Sequence, residues 1–360
     1  MYIINLALDP RALDPESIVS FRNRAYGNLV EHYTTIIPSP ETVTVRTSDK
    51  VTTYGIGGTS KLVKLNKIYR KASELIKEKK CDVISSDMYF LGFIALILAR
   101  KHHLGFEVQV LGIEKLTRFR KLLAIFVLKR ASIVRALSNR LKKRLIDEFG
   151  IAEEKLNVVP IYVDVHKMGL DVRTLSKEDS IAFLKSKEKF HAEYSSKINF
   201  LTVSRLVPIK RIGKQLRAIK ALIHTYPNIM LHIAGSGPEE ARIKQEVATL
   251  GLLDHVIFYG YQTGYALGML YLEWDAFIRT SDYEGGGMVV IEAATAGLPV
   301  IMTDVGCAGE CIINEKSGLI VPAHDEESLR KAMERMIREP RLRETLSVGA
   351  MHAISELPNF

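Results

Sequence analysis

The C-terminal half of the chain alternates short apolar runs with longer amphipathic stretches. INFLTVS (198–204), MLHIA (230–234), VIF (256–258), AFIR (276–279), PVIMT (299–303) and GLIVP (318–322) are too short for buried helices and read as strands. Between them, residues 210–225, 239–250, 287–296 and 326–338 read as helices, with YALGMLY (265–271) as a shorter one. Strands apolar throughout, separated by helices, predict a parallel sheet covered on both faces.

The first half repeats the theme less regularly. YIINLAL (2–8), CDVISS (81–86), FEVQVLG (106–112), SIVRALS (132–138) and NVVPIYV (157–163) read as strands, with helices over 61–79 and 139–149 among those filling the gaps. Residues 171–197 are polar, show no strand pattern and read as a linker carrying a short helix over 181–194. The expectation is an α/β chain of two doubly wound, Rossmann-like domains, 1–170 and 198–340, facing each other across a cleft. A C-terminal helix over 341–360 is expected to return to the first domain. In doubly wound sheets, ligands bind beyond the carboxyl ends of the strands.

Composition narrows the class. With 360 residues, 47% hydrophobic and 25% charged, the chain fits two globular cores. The apolar run Tyr89–Ala99 falls short of the roughly 20 residues that span a bilayer. The start, MYIINLAL, lacks a basic leader region, so no signal peptide is expected. Cys81, Cys307 and Cys311 have neither disulfide-framework nor CxxC spacing and read as buried thiols, which places the chain in the cytoplasm.

Charge is divided unevenly. Residues 1–170 hold 28 Lys and Arg against 17 Asp and Glu, and the remainder holds 22 against 24. The densest tract, Lys115 to Arg144, carries eleven cations and no acid. Two readings stand: solvated faces of core helices, or a patch that docks peripherally on an anionic membrane at the inner face of the cell. Nucleic acid is not expected, since no binding motif or interleaved aromatic series accompanies the charge. GIGGTSK (55–61) lacks P-loop spacing and reads as a turn before a helix.

Candidate chemistry gathers in SDYEGGGMVVIEAATAGLPV (281–300). Glu284 follows a strand's carboxyl end. Gly285, Gly286 and Gly287 let a ligand approach the backbone, and the helix opening at Met288 and Val289 offers unsatisfied N–H groups to an anion. Glu292 stands in an apolar helix, where a carboxylate needs a hydrogen-bonding partner such as the diol of a ribose. Local capping of the backbone is the alternative. In VSRLVPIK (203–210), Arg205 and Lys210 sit five apart on a loop and suit a departing diphosphate, or are two solvated charges. Asp-x-Asp and His/Cys metal spacings are both missing from the sequence, so no metal is expected.

VSRLVPIK, LHIAGSGPEE, DHVIFYGY and the Glu-x7-Glu of EGGGMVVIE, in that order, resemble retaining GT-B glycosyltransferases of the family-four (group 1) type. The resemblance is strongest over 198–338, weaker over 82–164 and slight before residue 80. It implies a nucleotide sugar as co-substrate, no cofactor, and transfer to a carbohydrate or lipid-linked acceptor with retention. Residue by residue, it implies that Glu284 holds the donor sugar and Glu292 the ribose. Arg205 and Lys210 would bind the diphosphate, and Gly285, Gly286, Gly287, Met288 and Val289 would contact sugar and phosphate. The loop Tyr259, Gly260, Tyr261 and Gln262 would line the base. The chain departs from the family in ALDPRALDP after the first strand, where a Gly-Gly turn is usual. It also has VPIYVD in place of VPNGVD, and Leu111 where a histidine commonly stands. A nucleotide-sugar epimerase of the same fold and a non-enzymatic polyanion binder are the competing readings.

Overall fold

A computed structural model of the chain describes residues 1–113, 116–160 and 198–356. These form two units, within 1–160 and 198–356. The linker at 171–197, its helix at 181–194, and Ile161 and Tyr162 of VPIYVD lie outside the described residues.

The first unit is built on a sheet ordered β3-β4-β2-β1-β5-β6-β7-β8. Its strands are β1 (Tyr2–Leu6), β2 (His32–Pro38), β3 (Val43–Ser48), β4 (Val51–Ile56), β5 (Val83–Asp87), β6 (Gly105–Val110), β7 (Ile133–Ala136) and β8 (Leu156–Val158). Helices α1 (Ile18–Asn28), α2 (Lys61–Glu78), α3 (Met88–His102), α4 (Arg118–Leu128) and α5 (Asn139–Phe149) connect them. Pairing is parallel except at the edge, where β3 and β4 form an antiparallel hairpin. Sequence reading misses β2, β3 and β4. HYTTIIP, VTVRTS and VTTYGI take their strand preference from β-branched Thr, Val and Ile rather than from a long apolar run. GIGGTSK ends β4 and caps α2, with Ser60 Oγ accepting from Val63 N. In α5, Leu141, Leu145 and Phe149 recur on one buried face. Ser138 caps its start, and Gly150 ends it in the left-handed region.

The second unit is a parallel sheet ordered β11-β10-β9-β12-β13-β14. Its strands are β9 (Ile198–Val203), β10 (Ile229–Ala234), β11 (Val256–Gly260), β12 (Ala276–Arg279), β13 (Val300–Thr303) and β14 (Gly318–Val321). The helices are α6 (Ile212–Leu222), α7 (Glu240–Thr249), α8 (Gly264–Glu273), α9 (Met288–Thr295), α10 (Glu326–Arg338) and α11 (Pro340–Ser355). α6, α7 and α10 bury their apolar stripes on one face of the sheet and α8 and α9 on the other, while α11 gives Leu346 to the first and Ala350 and Ile354 to the second. α11 lies against α9, α10, β13 and β14 of its own unit.

This order fixes where a ligand can sit. The chain leaves β9 outward to β10 and β11, then returns to β12 on the other side. Loops after the neighbouring strands β9 and β12 therefore lead to helices on opposite faces. That is the switch point at which a parallel sheet opens a crevice beyond its carboxyl ends. The glycine loop after β10 is pressed against this point. Gly235 has φ +138°, its N–H donates to Gly260 O at 2.6 Å, and an added Cβ would overlap the Ser204 carbonyl.

Gly235→Ala is expected to cost about 3 kcal/mol or more in urea unfolding, because strain and backbone overlap combine. Gly260→Ala, where a Cβ meets nothing and only φ +66° opposes it, is expected to cost about 1 kcal/mol. Equal losses would show that close approach at Gly235 contributes nothing.

Candidate active site

The two loops flanking the switch point are tied together. Asp282 N donates to Ile209 O at 2.9 Å and Thr280 Oγ1 donates to Lys210 O at 3.0 Å. The Asp282 carboxylate accepts from Arg211 Nε and from Lys214 Nζ, the latter at 3.2 Å. Lys210 ends a 3-10 turn, Pro208–Lys210, and Arg211 follows at φ +51° to start α6. These links aim Lys210 at the second loop rather than at solvent.

Its target is Glu284. Lys210 Nζ donates to Glu284 Oε1 at 2.8 Å, Ser281 Oγ at 2.6 Å and Arg279 Nε at 2.8 Å. All three donors converge on one oxygen of a carboxylate that is 13% exposed. Arg279 is itself 6% exposed and steadied by Nη1 donating to Val203 O at 2.9 Å. Burial works to raise the Glu284 pKa, but the Arg279 guanidinium and the Lys210 ammonium outweigh it and hold the carboxyl below its ordinary value. The local charge is one carboxylate against two cations, a surplus of one that suits an anionic ligand. Arg279 is absent from the sequence reading, because it is the last residue of an apolar strand and carries no motif of its own.

Glu292 has a partner inside the protein. It is 4% exposed, and its partner in the structure is Tyr271, whose hydroxyl donates to Oε2 at 2.8 Å. Tyr271 lies on α8 and is fully buried. Burial pushes the Glu292 carboxyl up, against the Tyr271 bond and the Arg279 charge, both of which lower it. Tyr271 thus supplies part of what the sequence reading left to a ribose, and among the described residues Oε1 carries no bond.

The other expected positions surround the same edge. Gly287 caps α9 at φ +143°, and the N–H groups of Met288 and Val289 open the helix without an intrahelical acceptor. Gly286 O accepts from Cys307 N at 2.9 Å, so the glycine run is backed by the loop after β13. Arg205 is exposed and, among the described residues, has no ion pair. Tyr259 does not simply line a pocket. It is half-buried, its hydroxyl meets His232 Nδ1 at 3.1 Å, and His232 stacks on Trp274 at 3.8 Å between centroids. Gln262 Nε2 folds back to Tyr259 O at 2.7 Å, while Tyr261 is 63% exposed. Tyr259–Gln262 stand at the carboxyl end of β11, where His232 meets the Tyr259 hydroxyl.

The first unit has its own polar edge. Asp87 ends β5, is 8% exposed, and precedes Met88 at φ +65°, a strained conformation for a side chain of that size. Burial pushes the Asp87 carboxyl up to about 6, against the Arg22 charge and a bond from Asn5. Leu111 follows β6 and packs half-buried against that unit's core.

Residues 185–351 match the family described as glycosyl transferases group 1. An uncharacterized glycosyltransferase of Methanocaldococcus jannaschii is 30% identical over 220 residues, 61% of this chain and 54% of that protein. The lipopolysaccharide core biosynthesis glycosyltransferase LpsD of Rhizobium meliloti is 34% identical over 152 residues, 42% and 43% of the two chains. The chain spans about half the length of these curated relatives or less. Among solved structures, HepE of Anabaena in complex with UDP superposes with a TM-score of 0.76 at 18% identity, over 99% of this chain and 95% of that one. Sucrose-phosphate synthase of Thermosynechococcus elongatus gives 0.79 at 19%, over 99% and 95%. The fold is GT-B.

Glu284→Gln leaves Arg279 and Lys210 without their counter-charge. It is expected to lower unfolding free energy at pH 7 by about 3 kcal/mol, the cost of stranding a buried cation. Because the folded pKa lies below the unfolded one, the contribution is complete above the ordinary carboxylate range and is lost as pH falls through the folded value. The gap between wild type and variant, read by urea unfolding, should therefore narrow below about pH 4.5. A gap independent of pH would contradict the ion cluster.

Proposed function

We propose that this chain, whose residues 185–351 match the group 1 glycosyl transferases, moves a sugar from a nucleotide-sugar donor to a saccharide or lipid-linked acceptor. Transfer retains configuration at the anomeric carbon and needs no metal ion. The observation that carries the reading is the meeting of Lys210 and Glu284 across the switch point, at 2.8 Å.

Each group has a role that its surroundings favour. Three donors hold Glu284 Oε1 in place, which leaves Oε2 as the acceptor for hydroxyls of the donor sugar. An ammonium has three donors, so Lys210 can bond Glu284 and still meet a phosphate oxygen. Arg205, exposed on the adjoining loop, adds the second cation to the diphosphate. The open N-terminus of α9, at Gly287, Met288 and Val289, receives phosphate and sugar. Glu292 Oε1 takes the ribose while Tyr271 holds Oε2. The Tyr259–Gln262 loop borders the base.

Positive charge fixed before the reaction stabilises the diphosphate as it leaves, which is the task a metal would otherwise perform. The bond from the anomeric carbon to the diphosphate breaks as the acceptor oxygen closes on the same face. The acceptor's proton passes to a donor phosphate oxygen. No side chain is assigned as a covalent nucleophile. The acceptor belongs to the first unit, at the edge carrying Asp87 and Leu111, and is presented in the cytoplasm at an anionic membrane. An epimerase would convert the donor alone.

Arg205→Ala is the cleanest test, since that exposed side chain makes no hydrogen bond or ion pair among the described residues. Turnover with the correct member of a UDP-, GDP- and ADP-sugar panel is expected to fall about 100-fold, with a smaller change in KM. Wild-type activity is expected to survive EDTA, and proton NMR to show the donor's anomeric configuration in the product. A strict need for Mg²⁺ or Mn²⁺, or an inverted product, would refute the mechanism.

A further inference from the structure

Two helices of the first unit hold large apolar side chains out to solvent in the same order. On α3 these are Phe90, 50% exposed, Phe93, 42%, and Ile97, 42%; on α4 they are Phe119, 77%, Leu122, 61%, and Phe126, 40%. Both sets follow i, i+3, i+7 spacing, so each is a single stripe along its helix. Both stripes run into cations one turn later, Arg100 and Lys101 on α3, Lys129 and Arg130 just past α4. The stripes adjoin, since the Phe93 and Phe126 rings lie 6.4 Å apart between centroids and α3 packs along α4.

These side chains are surplus to folding. The inward positions of the same helices, among them Leu91, Ala95, Leu98, Ala124 and Val127, already fill the core. A contiguous patch holding six large apolar residues marks a contact surface rather than ordinary scatter. Charge complementarity selects the partner. Neither α3 nor α4 contains an acidic residue, and Arg118 and Arg120 stand exposed beside Phe119. Arg130 spreads its guanidinium 3.8 Å above the Phe126 ring, keeping its charge at the rim of the patch. Apolar side chains bordered by cations fit the layer of a bilayer where acyl chains meet anionic headgroups. Among the described residues, no helix is long and apolar enough to cross a membrane, so the contact is peripheral.

We propose that α3 and α4 together insert their paired apolar stripes into the interfacial layer of an anionic bilayer, with the flanking cations on the headgroups. The surface differs from the one that charge density alone suggests. In α5, Lys142 is paired with Glu153 at 2.9 Å and Arg144 with Glu148 at 2.7 Å, and α5 exposes no large apolar side chain. The inference rests on this surface and not on the transfer reaction, because binding is read without donor or acceptor.

Flotation of the full chain with vesicles of phosphatidylcholine alone, or of phosphatidylcholine with one-third phosphatidylglycerol, tests it. Wild type is expected to float strongly with the anionic vesicles at low salt and only weakly with the neutral ones. High salt should weaken the binding without abolishing it, since apolar insertion is not screened. The double variant Phe119→Gln, Leu122→Gln should lose at least about tenfold in partitioning with an unchanged thermal midpoint, as expected when exposed apolar groups lose their buried state. Three results would overturn the proposal. One is a double variant that binds as wild type does, which leaves charge alone. Another is wild type that ignores anionic vesicles. The third is a wild-type dimer that the double variant dissolves, which would make the patch an interface between copies.

Discussion

A carboxylate that is 13% exposed stays ionised only if something answers its charge, and at Glu284 that answer comes from Arg279 and Lys210. The demand runs in both directions. Arg279, at the carboxyl end of β12 and more deeply buried, has Glu284 and the Val203 carbonyl as its partners. Removing either member strands the other, so the loops after β9 and β12 are held at one separation. The Asp282 bonds to Ile209, Arg211 and Lys214 reinforce it. An edge fixed this way has its charges placed before any ligand arrives, so little reorganisation opposes binding.

Much of this arrangement was legible in the sequence. The strands of the second unit are short apolar runs, and the motifs after β9, β10, β11 and β12 stand at its carboxyl ends in chain order. What stayed hidden was long-range pairing. Tyr271 answers Glu292 from 21 residues away on another helix, and no local pattern joins them. An apolar helix with one acid fits a ligand or a partner inside the protein, and Tyr271 supplies part of that need. Arg279 was hidden for the opposite reason, since a cation ending a strand looks like a surface residue until the fold buries it.

The first unit was harder to read because its signals are weaker. Its interior β2 is built on Thr and Ile, and the edge hairpin of β3 and β4 on Thr and Val among polar residues, so none of the three is a long apolar run. α3 misleads in another way. A helix apolar on nearly every side has no periodicity to tell its buried face from its exposed one. The structure buries one face and exposes Phe90, Phe93 and Ile97. The strained Met88 and the buried Asp87 before it likewise carry no motif, only a place at the end of a strand.

The account turns on Arg279 and Lys210 holding Glu284 as a preformed site for a donor sugar. Calorimetric titration of nucleotide sugars into wild type and Arg279→Lys tests it most directly, because lysine keeps the charge and loses the fork that reaches both Glu284 and Val203. The account predicts measurable binding of one nucleotide sugar to the wild type. In the variant it predicts a loss of about 10-fold or more, with affinity for the bare nucleoside diphosphate changing less. Equal affinity of the nucleotide sugar for both proteins would contradict it.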